Sequence, residues 1–192
     1  MLTSSPLDAA ASVEYGDFWT RLGAAFIDFV IGLPLFFAVS YYMTWSPNFN
    51  GFVATSVVSM LYRPVTEAVW SATPGKMICK LRVVREGDYS RIGVQEAVLR
   101  FVPWLVPTLV GLYFGWVLFN TPGYREVDGF MEMGMFMQRH QAEIGGVSTL
   151  SNLSQFVPLL SALLIFFTAR NRAAHDLLAQ TYVVRRETLP RA

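Results

Sequence analysis

The sequence predicts an all-α membrane protein: a four-transmembrane-helix bundle with a short cytoplasmic β pair and an amphipathic C-terminal segment. Three observations carry that prediction. Hydrophobic residues make up 53% of the 192 residues and charged ones only 15%, well below the roughly 25% typical of soluble domains. Four stretches are apolar over the ~20 residues a helix needs to cross a bilayer. Most of the basic residues fall outside those stretches, with a marked asymmetry. At this length the chain reads as one domain, residues 1–192.

Composition also excludes function classes. A net charge of +1 lacks the basic stripe that nucleic-acid binding requires. One cysteine, Cys79, rules out a disulfide framework, and no Cys/His cluster points to zinc. No nucleophile–base pair or phosphate loop is visible, so neither enzymatic activity nor a cofactor is expected. The expected partner is the lipid bilayer.

Taken in order, residues 1–17 hold three acids and no Lys or Arg, the reverse of a signal-peptide n-region. They read as a short, mobile cytoplasmic tail. The first span runs from Phe18 to about Met43 and carries Arg21 and Asp28. The second, about Gly51–Ser71, contains Arg63, Pro64 and Glu67. The third, Ala97–Phe119, has Arg100 near its start and prolines at 103 and 107. The fourth covers about Leu150–Arg170.

The uncharged 44–50 connection and the 120–149 loop, with two basic residues against four acids, contrast with the segments on the other side. Residues 72–96 carry Lys76, Lys80, Arg82, Arg85 and Arg91, and the C-terminal tail carries five arginines. The positive-inside rule puts both basic regions in the cytoplasm, and an even number of spans puts both termini there. A re-entrant third segment would separate the two basic regions and is disfavoured. The expected location is the bacterial cytoplasmic (inner) membrane, multi-pass.

Within the spans, each ionisable residue costs about 2.5–3.5 kcal/mol at the bilayer centre and is a functional candidate. Asp28 lies seven residues beyond Arg21, roughly 10 Å along the helix. The second span runs antiparallel, so depth alone pairs Asp28 with Arg63 and Arg21 with Glu67. Such pairs either clamp helices together or relay protons or cations. For stability alone, apolar packing often serves as well as a buried pair.

Beyond the second span, Thr73-Pro74-Gly75 forms a turn below the membrane, and Lys76 can snorkel to headgroups. LRVVR (81–85) and TYVVR (181–185) predict the short strand pair. His175 and Asp176 sit just before the second of these. A histidine there either gates protonation near pH 6–7 or simply hydrogen-bonds.

Arg21 with Asp28 in the first helix, TPGK at 73–76 followed by LRVV, and RNRAAHDLLAQTYVV at 170–184 together resemble the RDD (Arg-Asp-Asp) family of bacterial integral membrane proteins. By position the arginine is Arg21 and the aspartates are Asp28 and Asp176. The family usually has glycine before the Leu of its Leu-x-Val segment, where this chain has Lys80, and the 120–149 loop looks like an elaboration. The family is largely uncharacterised; transport is suggested for it, and cation/proton exchange for some members. The resemblance implies a small transporter in which Asp28 exchanges the ion or proton, Arg21 is its counter-charge, and Asp176 fastens the C-terminal segment beneath Arg21. A transporter of this size is expected to act as a homo-oligomer, because four helices alone enclose little space; the alternative is an accessory or assembly subunit of a larger membrane complex.

In the outer loop Met131, Met133, Met135 and Met137 precede His140. Soft thioether ligands beside an imidazole suit Cu(I) or Ag(I). The competing reading is an interfacial helix whose Met and Phe side chains enter lipid or meet an extracytoplasmic partner.

Overall fold

The computed structural model describes residues 13–168 and 170–189. Helix α1, Phe18–Thr44, begins where Asp17 caps it. The Asp17 carboxylate accepts from the Thr20 amide at 2.9 Å and its hydroxyl at 2.7 Å, satisfying donors that a helix start leaves open. Helix α2 spans Phe49–Trp70 and is capped by Asn48, which accepts from the Gly51 amide at 2.9 Å. The five-residue α3, Pro74–Ile78, has Thr73 as its cap and proline at its first position, where the missing N–H costs nothing. Strand β1, Leu81–Arg85, follows, then α4, Val94–Asn120. Glu96 accepts from the Gly93 amide at 2.8 Å at the α4 start.

Residues 120–149 are more helical than a loop. They contain α5, Phe130–Arg139, and the beginning of α6, Gln141–Ser154. Helix α7, Phe156–Leu163, and a 3₁₀ turn to Phe167 continue the apolar stretch. The last apolar stretch therefore starts at Gln141 rather than near Leu150. The five-residue α8, Ala174–Leu178, leads into strand β2, Thr181–Arg185.

Among the described residues, three stretches are long and apolar enough to cross a membrane: Phe18–Thr44, Val94–Asn120 and Gln141–Phe167. At 22 residues α2 has the length, but Arg63, Glu67 and several hydroxyl side chains dilute its apolar character. Its Thr55 and Ser59 hydroxyls donate back to the carbonyls of Gly51 and Thr55, both at 2.8 Å, so their donors are satisfied without water.

The chain forms two compact units. One, the strand unit, comprises residues up to Ile31, Arg63–Val102 and those from Ser161 on; the other, the aromatic unit, comprises Gly32–Tyr62 and Pro103–Leu160. In the aromatic unit, Leu118, Tyr124, Val127, Phe136 and Ile144 form the core. The Tyr124 hydroxyl donates to the Met43 carbonyl at 2.7 Å.

The strand unit is organised around β1 and β2, paired antiparallel with Val83 opposite Val183. One face of the pair, Leu81, Val83 and Val183, packs with Ala24, Ile92 and Ala97. The other face, Val84, Tyr182 and Val184, packs with Val13, and Tyr15 and Tyr89 lie against it. Burial on both faces explains why neither strand alternates cleanly in sequence. Tyr15 bridges to Val184, and Gly16 donates to the Val183 carbonyl at 2.8 Å. Residues 13–17 of the expected mobile tail are thus docked on the β2 edge, whose free backbone groups they satisfy. Residues 1–12 of that tail lie outside the described residues.

The two halves of the strand unit repeat one another. Thr73–Arg85 and Ala173–Arg185 each run cap residue, five-residue helix, left-handed residue, five-residue strand. The left-handed residues are Lys80 at φ 57° and Gln180 at φ 51°, and Ser71 (φ 55°) and Asn171 (φ 53°) match just upstream. On the outer edges, Arg91 bridges to Val84 as Tyr15 does to Val184. This is a local pseudo-two-fold about the Val83–Val183 pair.

Candidate functional site: a buried charge network

The strand unit buries a network of opposite charges. The T-P-G-K motif supplies one corner. Thr73 donates its hydroxyl to Asp28 Oδ2 at 2.5 Å, and the Gly75 amide donates to Oδ1 at 2.7 Å. A Cβ on Gly75 would collide with the Ala24 carbonyl and sit 2.8 Å from the Asp28 Cγ, so only glycine lets α3 approach α1 this closely. The next residue, Lys76, is thereby turned inward and bonds Glu67 Oε1 through its ammonium. It is 6% exposed, not snorkelling to headgroups.

Arg100 is the centre. Its Nε donates to Glu67 Oε2 at 2.8 Å, and its Nη1 donates to Asp176 Oδ1 and, at 2.6 Å, to the Thr181 hydroxyl. Its Nη2 has no hydrogen-bond partner among the described residues. Arg100, Glu67 and Asp176 are at most 2% exposed. Arg21 completes the chain: its Nη2 lies 2.5 Å from Asp176 Oδ2 and its Nη1 donates to the Asn171 carbonyl at 2.6 Å. Asp176 also accepts from the Ala173 amide at 3.0 Å, so one carboxylate caps α8 and joins it to α1 and α4.

The pairs differ from those that depth alone predicts. Arg21 meets Asp176 instead of Glu67, because α8 folds beneath the start of α1 and Glu67 is taken by Lys76 and Arg100. Arg63 lies 4.0 Å from Glu67, one turn away on its own helix, and within electrostatic reach of Asp28. Arg100 and Lys76 are the members that sequence reasoning missed. The signal for Arg100 was available, since it is a guanidinium inside an apolar run; Lys76 was masked by its place in a turn.

Burial pushes the Lys76 ammonium down to about 8, and neighbouring Arg100 and Arg63 push the same way, against the pull of Glu67. The Asp176 carboxyl, which burial alone would raise, is held well below its usual range by Arg21 and Arg100. Burial pushes His175 well below 6.5 despite adjacent Asp176. Its Nδ1 lies 3.1 Å from the Ser161 hydroxyl. Four cations, Arg21, Arg63, Lys76 and Arg100, meet three carboxylates, Asp28, Glu67 and Asp176, leaving one surplus positive charge.

The outer-loop methionines differ in exposure. Met133 and Met137 pack against the core, while Met131 and Met135 are exposed on another face of α5. His140 stacks on Phe136 with ring centroids 4.2 Å apart, and its Nδ1 lies 3.1 Å from the Phe136 carbonyl oxygen. Among the described residues no group of three or more His, Cys, Asp or Glu side chains has metal-binding geometry.

Comparison with known proteins agrees with this architecture. The model of the RDD family matches residues 15–180. The chain is 33% identical over 87 residues to the uncharacterized protein YckC of Bacillus subtilis (strain 168), an alignment covering 44% of this chain and 56% of that one. The chain thus spans little more than half of that relative. No solved structure matches it. With all but its two ends covered by the family model, this chain is a membrane protein belonging to the RDD family.

Proposed function

We propose that this is a small four-span transporter of the bacterial inner membrane, with both termini cytoplasmic, that exchanges a cation for a proton at Glu67. The observation that carries this reading is the sharing of one buried carboxylate by Lys76 and Arg100. Lys76 holds its proton at neutral pH but close to the point of release. When the Lys76 ammonium gives its proton to water, Glu67 Oε1 loses a cationic partner and a metal cation can take that place. The protonated Lys76 and the metal cation then exclude one another at a single carboxylate, so cation binding is coupled to proton release, which is the condition for exchange. Asp28 is occupied by Thr73 and Gly75, an arrangement that suits holding α3 against α1 better than releasing a proton. Arg21 and Asp176 fasten α8 beneath the site.

Reconstitution in proteoliposomes containing a pH-sensitive dye tests the proposal. An inward sodium or potassium gradient should drive proton efflux in the wild type, and Lys76→Gln should abolish it. Absence of any cation-driven proton movement in the wild type overturns the reading.

One observation favours a second reading, an accessory subunit of a membrane complex. Phe130, Met131 and Met135 of α5 are exposed, Met131 to 81%, a flexible apolar face suited to a partner outside the membrane. Copurification of a stoichiometric partner in mild detergent would support it.

A further inference from the structure

A second site lies apart from the charge network, on the outside of the strand unit. Arg82 of β1, Arg91 and Arg186 line one cavity of about 180 Å³ together with Val69 and Trp70 at the end of α2 and Met77 of α3. None of the three arginines has an acidic partner among the described residues. Their neighbours differ: Lys80 pairs with Glu187, Arg85 with Glu96, Arg172 with Glu86, and Arg185 with Glu14 and Asp17. The three unpaired guanidiniums are close enough that, after burial, Arg91 and Arg186 lower the Arg82 pKa by repulsion. Convergence of like charges without a counter-ion is unfavourable for the protein alone. An anion relieves it.

We infer that this cavity binds the phosphate headgroup of an anionic membrane lipid. Guanidinium forks match phosphate oxygens in pairs, and basic pockets at helix ends suit anionic headgroups. The surroundings distinguish a lipid from a free phosphate. Val69, Trp70 and Met77, which line the same cavity, are exposed to between 43% and 59%, offering an apolar surface for acyl chains and an interfacial tryptophan. The inference does not rest on the transport reading, and its test measures binding rather than flux.

The experiment uses the full chain in neutral detergent, with bound lipid counted by native mass spectrometry and melting followed in parallel. Phosphatidylglycerol, phosphatidylcholine and inorganic phosphate are added separately at equal concentration. Phosphatidylglycerol should be retained and should raise the melting temperature, with phosphatidylcholine and inorganic phosphate much weaker. The variant Arg82→Gln/Arg186→Gln should bind phosphatidylglycerol about 30-fold less tightly, about fivefold for each arginine. Equal retention of the two lipids by the wild type overturns the charge-based site. Protection by inorganic phosphate equal to that by phosphatidylglycerol assigns a free anion and overturns the lipid. Unchanged phosphatidylglycerol binding by the double variant overturns the placement. The wild-type comparison stands on its own even where the variant folds poorly.

Discussion

Arg100 Nε and Glu67 Oε2 are 2.8 Å apart, and both side chains are almost completely buried. The pair joins α4 to α2 directly, and through Asp176 and Thr181 Arg100 reaches α8 and β2 as well. One guanidinium thus holds four elements at a point where hydrophobicity has little to offer. Its fork geometry makes this possible, since several donors leave one rigid plane in different directions. The network also carries more positive than negative charge, so its members are not equivalent.

That surplus ranks the cost of mutations. Glu67→Gln leaves Lys76, Arg63 and Arg100 facing a neutral amide and raises the buried charge further. Breaking a buried pair in this way costs about 3–5 kcal/mol. Lys76→Met removes one cation, leaves Glu67 paired with Arg100, and brings the network to neutrality. Thermal unfolding in detergent should therefore show Glu67→Gln much less stable than Lys76→Met. The reverse order would contradict the charge count.

Lys76 also sets a pH dependence with a definite sign. Burial holds its pKa at about 8 in the folded chain against an ordinary 10.5. Between those values the unfolded chain binds the proton more, so stability rises with pH there. Below about 8 both states are protonated and the full penalty of burying the charge is present. Comparing wild type with Lys76→Met from pH 8 to 10 isolates the effect, because the raised tyrosine hydroxyls are common to both. The wild type should gain stability relative to the variant across that window; a flat difference would remove Lys76 as a strained buried ammonium.

What was legible in one dimension was charge out of place. Arg21, Asp28, Arg63 and Glu67 interrupt apolar runs, and any such interruption is visible by counting. The strand pair was legible too, because LRVVR and TYVVR carry β-branched residues between turn residues. Pairing was legible at one point only, through the family resemblance, which puts Asp176 beneath Arg21, as the ion pair between them bears out. Asp176 reaches Arg21 across 155 positions and Arg100 across 76, and the antiparallel register of β1 and β2 decides that α8 lies beneath α1. Lys76 looked like a headgroup lysine because its direction depends on Gly75 approaching the Ala24 carbonyl, a contact between chain segments some fifty residues apart. The repeat of Thr73–Arg85 in Ala173–Arg185 was hidden as well: they share only the closing Val-Val-Arg, although their backbones coincide in type.

Gly75 tests how far the network depends on backbone approach. Adding one methyl places a carbon against the Ala24 carbonyl and close to the Asp28 carboxylate, and neither is the free end of a flexible side chain. Gly75→Ala should push α3 away from α1, weaken the Gly75–Asp28 hydrogen bond, and destabilise by about 1–3 kcal/mol. The matched control is Gly87→Ser in the exposed turn, where a Cβ meets nothing although φ is 101°. That variant is strained without being crowded. If Gly75→Ala costs no more than the control, the close approach is not what selects glycine.

The left-handed residues offer the opposite experiment, a substitution that stabilises. Lys80 and Gln180 each end a five-residue helix at positive φ, where a side chain costs about 1–2 kcal/mol relative to glycine. At Lys80 the gain from glycine is blurred by the exposed ion pair with Glu187 at 2.6 Å, worth up to about 1 kcal/mol. Gln180 has no such side-chain contact among the described residues, and its amide already donates to the Leu177 carbonyl at 3.2 Å, which glycine preserves. Gln180→Gly should therefore raise stability by about 1 kcal/mol, after the greater freedom of glycine in the unfolded chain takes back part of the gain. Lys80→Gly should raise it by less. Thermal unfolding of the two single variants and their double reads this directly; destabilisation by Gln180→Gly would mean that its side chain stabilises the chain more than its backbone strains it.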